Sequence, residues 1–172
     1  GLRALGTDVV VEDVHGLGVF GPEGRGELDA PIQSGNLAKA AGSLGGFVTG
    51  SKELVALLRS QARSFLFTTA LPPAVCAAGI EGLRLVKEGH ERRERLRAGM
   101  KLLGSSSPIK SVILGSNERA LEASRKLFEL GFFVPAIRPP PVAPGTARLR
   151  ITVTAMHERD HVEALLEALA KV

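Results

Sequence analysis

The sequence predicts an α/β fold in two parts, one over residues 1–103 and a smaller one over residues 104–172. A short apolar run, Asp8 to Glu12, has the composition of a buried central strand of a parallel sheet. After a Gly- and Ser-rich turn at residues 104–108, strand and helix patterns alternate over short distances. The hydrophobic fraction of 44% suffices to fill a core, which indicates a globular chain.

In the first part, residues 16–35 are rich in glycine and are expected to form a loop. Loops of that length in compact domains usually serve function. Gly45 to Gly50 predicts a short strand closed by a turn. Ser51 is a candidate N-cap for a helix from Lys52 to about Gln61, because its hydroxyl can accept a bond from an unpaired N–H of the first turn.

A second short apolar run, Phe65 to Thr69, predicts another strand. Pro72 and Pro73 follow, and proline is favoured in the first turn of a helix. A long helix is therefore expected from residue 73 to about residue 103.

The smaller part predicts a compact set of three strands and two helices. In order these are a strand at Lys110–Leu114, a helix at Asn117–Leu130, a strand at Phe132–Ile137, a strand at Arg148–Thr154 and a helix at His157–Lys171. Asn117 is the expected N-cap of the first helix, and Gly131 its C-terminal stop. The residues from Arg148 alternate between polar and apolar, which is typical of a half-buried strand.

The composition excludes several classes of function. Trp and Tyr are absent and aromatic residues make up 4%, which disfavours a nucleic-acid reader that works by stacking. The formal charge of +4 suits an anionic small molecule and is too weak to indicate DNA. The single cysteine, Cys76, excludes an internal disulfide and predicts a reducing, cytoplasmic environment. No signal peptide, membrane-spanning run or metal site is predicted.

Lys39 is the strongest candidate for chemistry. It lies in a stretch of small, mostly uncharged residues, Ser34 to Gly42, rather than among the mixed charges of a solvated face. Such surroundings suggest a buried amine that could form a Schiff base, since desolvation lowers the pKa of a lysine. The alternative is an ordinary surface lysine.

Glu12 and His15 come at the end of the first predicted strand, where ligands of open α/β sheets bind. A carboxylate there could keep a pyridine nitrogen of a cofactor protonated, so that the ring can withdraw electrons. The alternative is that both side chains are structural or merely solvated.

Arg148 and Arg150 are two residues apart on a predicted strand and therefore share one face. One of them could bind a substrate carboxylate through two parallel hydrogen bonds. The alternative is a pair of edge-strand charges. The preceding Pro-rich segment, residues 138–145, is better interpreted as a rigid connection to this strand than as a ligand for a proline-recognising module.

At four blocks the sequence resembles the α-oxoamine synthases, a family of pyridoxal-phosphate (PLP) enzymes of fold type I. The blocks are Glu12–Gly21, Asn36–Gly42, Phe65–Pro73 and Ala136–Arg150. They occur in the family's order and roughly at its spacing, and together they span nearly the whole chain. The last block is most similar to the members that make 8-amino-7-oxononanoate for biotin. The resemblance implies the C-terminal part of the fold: the end of the mixed sheet of the large domain, followed by the small α/β domain.

The resemblance also implies roles for individual residues. Lys39 would hold pyridoxal phosphate as a Schiff base and later transfer a proton. His15 would bind the phenolic oxygen of the cofactor, and Glu12 would pair with its pyridine nitrogen.

The resemblance also implies roles for four residues other than Lys39, His15 and Glu12. Asn36 would also contact the cofactor. Thr68 and Thr69 would reach the phosphate in the neighbouring subunit of a homodimer with shared active sites. Arg150 would bind the carboxylate of the amino acid.

The reaction implied is the decarboxylative condensation of L-alanine with pimeloyl-CoA or a pimeloyl-carrier protein. Three positions depart from the family pattern: the family usually has Asp at Glu12, Thr at Asn36, and Gly or Ser at Ala38. Glycine C-acetyltransferase and a diverged, non-catalytic paralogue are the alternatives. Family members are about twice as long, so we expect this chain to be the later part of such a protein and to be inactive alone.

Overall fold

The computed structural model describes residues 9–26 and 30–172. The chain divides into two compact units, Gly1–His90 and Glu91–Val172. The boundary expected from the sequence lies later, at residues 103 and 104.

The first unit contains a three-stranded sheet and three helices. The strands are β1 (Val10–Glu12), β2 (Ile32–Asn36) and β3 (Gly46–Thr49); the helices are α1 (Lys52–Gln61), α2 (Arg63–Leu66) and α3 (Pro73–Glu88). The strand order is β1-β2-β3, with β1 and β2 parallel and β2 and β3 antiparallel. Among the described residues β1 is an edge strand, and Val10 is 62% exposed, so the buried central position predicted for it is wrong.

Strand β2 replaces the end of the loop predicted over residues 16–35. Its sequence has one apolar residue, Ile32, and then polar or small ones, so no apolar pattern marks it. Pairing with strands on both sides supplies its backbone hydrogen bonds instead. Gly35 leaves room in this strand for the Phe47 ring of β3, which lies over it: a Cβ at Gly35 would be 2.6 Å from Cζ of Phe47.

The strand predicted at Phe65–Thr69 is wrong. Residues 63–66 form the short helix α2, and the following residues are irregular. The Phe67 N–H donates to the Arg63 carbonyl (3.0 Å), and the Arg63 guanidinium lies 5.5 Å from the centre of the Phe67 ring. These local contacts favour a helical turn, and no strand pairs with this segment in the part of the chain that the structure describes.

The long helix predicted after Pro73 is two helices. The second, α4, spans His90–Leu102. Gly89 separates them with φ −75° and ψ 38°, outside the helical range, and its N–H bonds to the Val86 carbonyl three residues back. Glycine adopts such a conformation at little cost, which explains the position of the break.

The second unit is an antiparallel sheet with helices. Its elements after α4 are β4 (Ile109–Gly115), α5 (Asn117–Glu129), β5 (Ala136–Ile137), β6 (Ala147–Thr152) and α6 (Arg159–Leu169). The strand order is β4-β6-β5, so β6 is central. The strand predicted over Phe132–Ile137 is confirmed only at its last two residues.

The core of the second unit lies on one side of this sheet. Alternate residues of β6, Ala147, Leu149 and Ile151, are buried. Helix α5 contributes Ala120, Ala123 and Leu127 at the spacing of one helix face. The alternation predicted from the sequence of β6 is therefore confirmed.

Helix caps agree closely with the sequence signals, with one exception. Ser51 caps α1 as predicted, accepting a bond from the Leu54 N–H at 3.2 Å. The cap of α5 is Ser116 rather than Asn117, because the Ser116 hydroxyl accepts from the Arg119 N–H at 3.2 Å. Hydrogen bonds from its own backbone N–H and from Ser116 lower the pKa of Glu118, which favours its charged form at the helix N-terminus.

Replacing Ser116 with alanine is expected to destabilise the second unit by about 1 kcal/mol, since an N-cap hydroxyl is lost. Asn117→Ala is the matched control and should change stability by less than about 0.5 kcal/mol, because Asn117 is exposed and is not the cap. Urea unfolding followed by circular dichroism measures both. An equal loss in the two variants would contradict the assignment of Ser116 as the cap.

Residues 9–26 and 30–172 contain no helix that is long and apolar enough to cross a membrane. Within the same residues, no cluster of three or more His, Cys, Asp or Glu side chains could hold a metal ion.

Candidate functional site

The carboxyl ends of the two parallel strands lie side by side. Glu12 of β1 is in register with Ser34 of β2, and the Asp13 N–H donates to the Ser34 carbonyl at 2.8 Å. Side chains that follow β1 and β2 therefore emerge at one edge of the sheet. Glu12 is exposed at this edge, and His15 is exposed in the turn beyond it.

Lys39 lies in the loop between β2 and β3, which is closed by its own backbone. The Leu37 N–H donates to Gly45 and the Ser43 N–H donates to Leu37, both at 2.9 Å. A turn inside the loop is closed by the Gly42 N–H and the Lys39 carbonyl (3.2 Å), with Gly42 at φ 60°. The backbone that carries Lys39 is thus held in one conformation.

The Lys39 side chain is exposed, so the buried amine expected from the sequence is wrong for this structure. The small residues beside it instead let the loop pack closely against Gly18 and Gly82. Nζ has no hydrogen bond or ion pair to any residue that the structure describes. An amine without an ionic partner on a fixed loop can react with an aldehyde that reaches this edge of the sheet.

The Lys39 loop packs against two glycines. A Cβ on Gly18 would lie 2.6 Å from the Ala40 Cβ, and Gly18 itself has φ 81°. On α3, a Cβ on Gly82 would lie 2.9 Å from the Ala41 carbonyl carbon and closer still to its oxygen. Gly18 belongs to the loop that follows Glu12 and His15, so the two strand-end loops touch directly.

Asp13 organises the first of these loops, a role that was not predicted from the sequence. Its carboxylate fills the space over Gly16 and Gly26, where a Cβ at either position would overlap it. Gly26 also has φ 88°, which favours glycine. The unusual density of glycines after Asp13 was the signal that could have identified this role.

The other predicted cofactor residues differ in their surroundings. The Asn36 Oδ1 accepts a bond from the Ala38 N–H at 3.1 Å, so this side chain stabilises the start of the Lys39 loop. Thr68 and Thr69 are exposed in the irregular segment after α2.

The two arginines of the second unit are not equivalent. Arg148 donates from Nε to the Thr146 carbonyl and from Nη2 to the Thr146 hydroxyl, both at 3.0 Å. The Arg150 guanidinium has no hydrogen bond or ion pair among the described residues, and its side chain is half-buried. Arg150 is therefore the one with all of its donors available.

The interpretation of these arginines as edge-strand charges is wrong, because β6 is the central strand. Arg150 is opposite Ser111 of β4, and its backbone N–H donates to the Pro135 carbonyl at 3.0 Å. Both arginines alternate with the buried residues of β6 and so lie on the face away from the core.

A family model described as aminotransferase class I and II matches residues 2–169. Among curated relatives, 8-amino-7-oxononanoate synthase of Methylococcus capsulatus is 50% identical and covers 94% of this chain and 47% of its own length. The enzyme of the same name from Saccharophagus degradans is 45% identical, with 95% and 46% covered. The chain spans about half the length of the curated relatives it matches.

Solved structures share the fold. Serine palmitoyltransferase from S. paucimobilis with a bound PLP–myriocin aldimine has a TM-score of 0.86 and 29% identity, covering 98% of this chain and 48% of that one. The 8-amino-7-oxononanoate synthase from Francisella tularensis has a TM-score of 0.85 and 27% identity, covering 94% and 53%. The prediction of a fold type I α/β architecture is confirmed by these likenesses. Since the family match also spans nearly the whole sequence, the chain belongs to the aminotransferase class I and II family, as its resemblance to the α-oxoamine synthases predicts.

Proposed function

We propose that this chain supplies the cofactor lysine and the substrate-binding arginine of an enzyme that makes 8-amino-7-oxononanoate. Its substrates would be L-alanine and a pimeloyl thioester, and its cofactor pyridoxal phosphate. The observation that carries the proposal is the unpaired amine of Lys39 on a fixed loop beside the ends of β1 and β2. The named relatives, 41–50% identical, support the choice of substrates.

The donor set at this edge fits pyridoxal phosphate. An aldehyde needs a free amine, a pyridine nitrogen needs a carboxylate, and a phenolic oxygen needs a hydrogen-bond donor. Lys39, Glu12 and His15 offer these three groups, and all three are exposed. Glu12 is one methylene longer than the Asp of the family pattern, and it is exposed at the end of β1.

When bound, pyridoxal phosphate supplies an electron sink for the substrate carbon next to the amine. Lys39 Nζ would hold the cofactor until L-alanine displaces it, and would then accept the Cα proton. Glu12 would keep a proton on the ring nitrogen, and His15 would orient the ring. Arg150 would hold the alanine carboxylate with two parallel N–H bonds until carbon dioxide leaves.

A homodimer with shared active sites is part of this proposal. Thr68 and Thr69 are exposed, and neither hydroxyl has a hydrogen-bond partner among the described residues. They would donate to the phosphate of a cofactor held by a second copy. The exposed thiol of Cys76 suits a reducing, cytoplasmic location.

Trapping with borohydride tests the role of Lys39. The protein is incubated with pyridoxal phosphate, reduced, and mapped by mass spectrometry. We expect the pyridoxyl group on Lys39 well in excess of the exposed Lys52, and none at residue 39 in Lys39→Arg, which keeps the charge and lacks the primary amine. The measurement is repeated on a fusion of this chain to the N-terminal half of the Methylococcus capsulatus relative, which supplies the part of the family's length that this chain lacks. Equal labelling of Lys39 and Lys52 in both samples would contradict the proposal.

Substrate identity is tested on the same fusion. L-alanine with pimeloyl-CoA should give 8-amino-7-oxononanoate, detected by mass. Glycine with acetyl-CoA and L-serine with palmitoyl-CoA are the competing pairs, the second because serine palmitoyltransferases share the fold. Turnover of glycine alone would favour glycine C-acetyltransferase. Labelled Lys39 without turnover of any pair would favour a diverged paralogue.

A further inference from the structure

The loop that carries Lys39 rests on the face of α3. The Ser43 hydroxyl of the loop donates to the Val75 carbonyl of this helix at 2.8 Å. Ala41 is buried, and its backbone meets α3 at Gly82. Helix and loop are therefore in contact at two points on either side of Gly42.

Of these two contacts, the one at Gly82 leaves no room for a side chain. A Cβ there would lie 2.9 Å from the Ala41 carbonyl carbon and 3.0 Å from its Cα, distances that real Cβ atoms rarely or never show. The obstacle is backbone, which cannot rotate away as the end of a side chain can. Any larger residue at position 82 must therefore displace either α3 or the loop backbone at Ala41, which lies inside the turn from Lys39 to Gly42.

Local preference opposes glycine at this position. Gly82 lies well inside α3, where alanine is the better helix former. Without the contact to Ala41, Gly82→Ala would stabilise the helix. Close approach of the loop is the physical reason for glycine here.

Gly79, one turn earlier on α3, provides a matched comparison. A Cβ there would lie 3.2 Å from Cδ1 of Leu37, which is the mobile end of a side chain, and 3.6 Å from the Ser43 Oγ. Leu37 can move by a few tenths of an ångström, so Gly79→Ala gains helix propensity at a small steric cost. The two glycines thus separate a contact with the loop backbone, at Gly82, from contacts with loop side chains, at Gly79.

We infer that Gly82 is a positioning residue for Lys39: its lack of a side chain lets α3 seat the Ala41 carbonyl and thereby set where the lysine amine is presented. The inference rests on the proposed role of Lys39 for its functional meaning. The structural part stands on the contact itself. Gly18 also packs against this loop, at Ala40.

Amide hydrogen exchange on the purified 172-residue chain tests the structural part. In Gly82→Ala we expect the Gly42 and Ser43 amides to exchange about tenfold faster, the size expected from overpacking against rigid backbone. Exchange of the β3 amides and of the Arg150 amide, which donates to Pro135, should stay within about twofold of wild type, which excludes global unfolding. Gly79→Ala should leave all of them unchanged.

Borohydride trapping of pyridoxal phosphate on the same variants tests the functional part. Labelling of Lys39 should fall by about tenfold in Gly82→Ala and stay at the wild-type level in Gly79→Ala. If Lys39 is labelled in the wild type, and Gly82→Ala changes neither amide exchange nor labelling, the inference about Gly82 is overturned while the proposed function stands. If Lys39 is not selectively labelled in the wild type, the result counts against the proposed function. The inference about Gly82 is then tested by the exchange of the Gly42 and Ser43 amides alone.

If Gly82→Ala does not fold, Ser43→Ala replaces it. This change removes the hydrogen bond to Val75 and leaves the helix sequence intact. We expect exchange of the Gly42 amide to rise about threefold to tenfold, the value of one hydrogen bond, with less labelling of Lys39. Unchanged exchange in Ser43→Ala would show that the contact with Val75 does not hold the loop, and would count against positioning of the loop by α3.

Discussion

Replacing Arg150 with alanine is expected to weaken binding of L-alanine by about 100-fold or more. Arg150 is half-buried and its guanidinium has no partner among the described residues, so in the proposed site the substrate carboxylate would be its ionic partner. Removing one member of a desolvated charge pair leaves the other unpaired, and the penalty commonly reaches about 3 kcal/mol. Calorimetric titration of the cofactor-loaded fusion protein with L-alanine measures the change.

Arg148→Ala is the matched control for this experiment. Arg148 shares the strand and the face of Arg150, but Thr146 already accepts two of its hydrogen bonds. Its loss should change the dissociation constant by no more than a few-fold. Arg150→Lys keeps the charge without the planar fork and should give an intermediate loss. Reversed effects in Arg148→Ala and Arg150→Ala would show that the carboxylate binds at the other arginine.

Replacing Leu127 with alanine is expected to destabilise the second unit by about 3 kcal/mol. Its side chain is 0% exposed on the buried face of α5, beside β6. Deleting most of a fully buried leucine side chain loses transfer free energy and leaves a cavity. For a unit of this size the midpoint of thermal unfolding should fall by roughly 15 °C.

Leu121→Ala is the control for that change. It removes the same atoms from the same helix, but Leu121 is 45% exposed, so the loss should stay below about 1 kcal/mol. Circular dichroism is the suitable probe, since the sequence has no Trp or Tyr for fluorescence. Similar losses in the two variants would mean that α5 does not present the face described above.

Sequence reasoning succeeded where the signal is local. Ser51 and the helix after it agree with the structure because the cap and the helix pattern lie within a dozen residues. Strand β2 was missed because its order comes from partners on both sides rather than from its own residues. The break at Gly89 was missed because a glycine inside a helical pattern is often tolerated.

The candidate site, too, could be predicted from the sequence only in part. Lys39 could be singled out from its neighbours in sequence, whereas the alternation of β6 left Arg148 and Arg150 equivalent and only the family resemblance favoured Arg150. The exposure of Lys39 is a tertiary property, and the difference between Arg148 and Arg150 depends on hydrogen bonds that no spacing encodes. The support from Gly82 joins residues about forty positions apart, beyond the reach of any local pattern.

The two units differ in how much apolar surface they bury. Leu17 and Ala41 are the buried apolar side chains among the described residues of the first unit, whereas the second has a continuous core around Leu127 and Leu149. A ligand that binds only the folded form stabilises it in proportion to the logarithm of its concentration above the dissociation constant. At 100 times that constant the gain is about 2.7 kcal/mol, which is a large share of the roughly 5–15 kcal/mol by which a domain is usually stable. Saturation with cofactor at Lys39 would therefore be coupled to the folding equilibrium of the first unit, and its melting point would report occupancy.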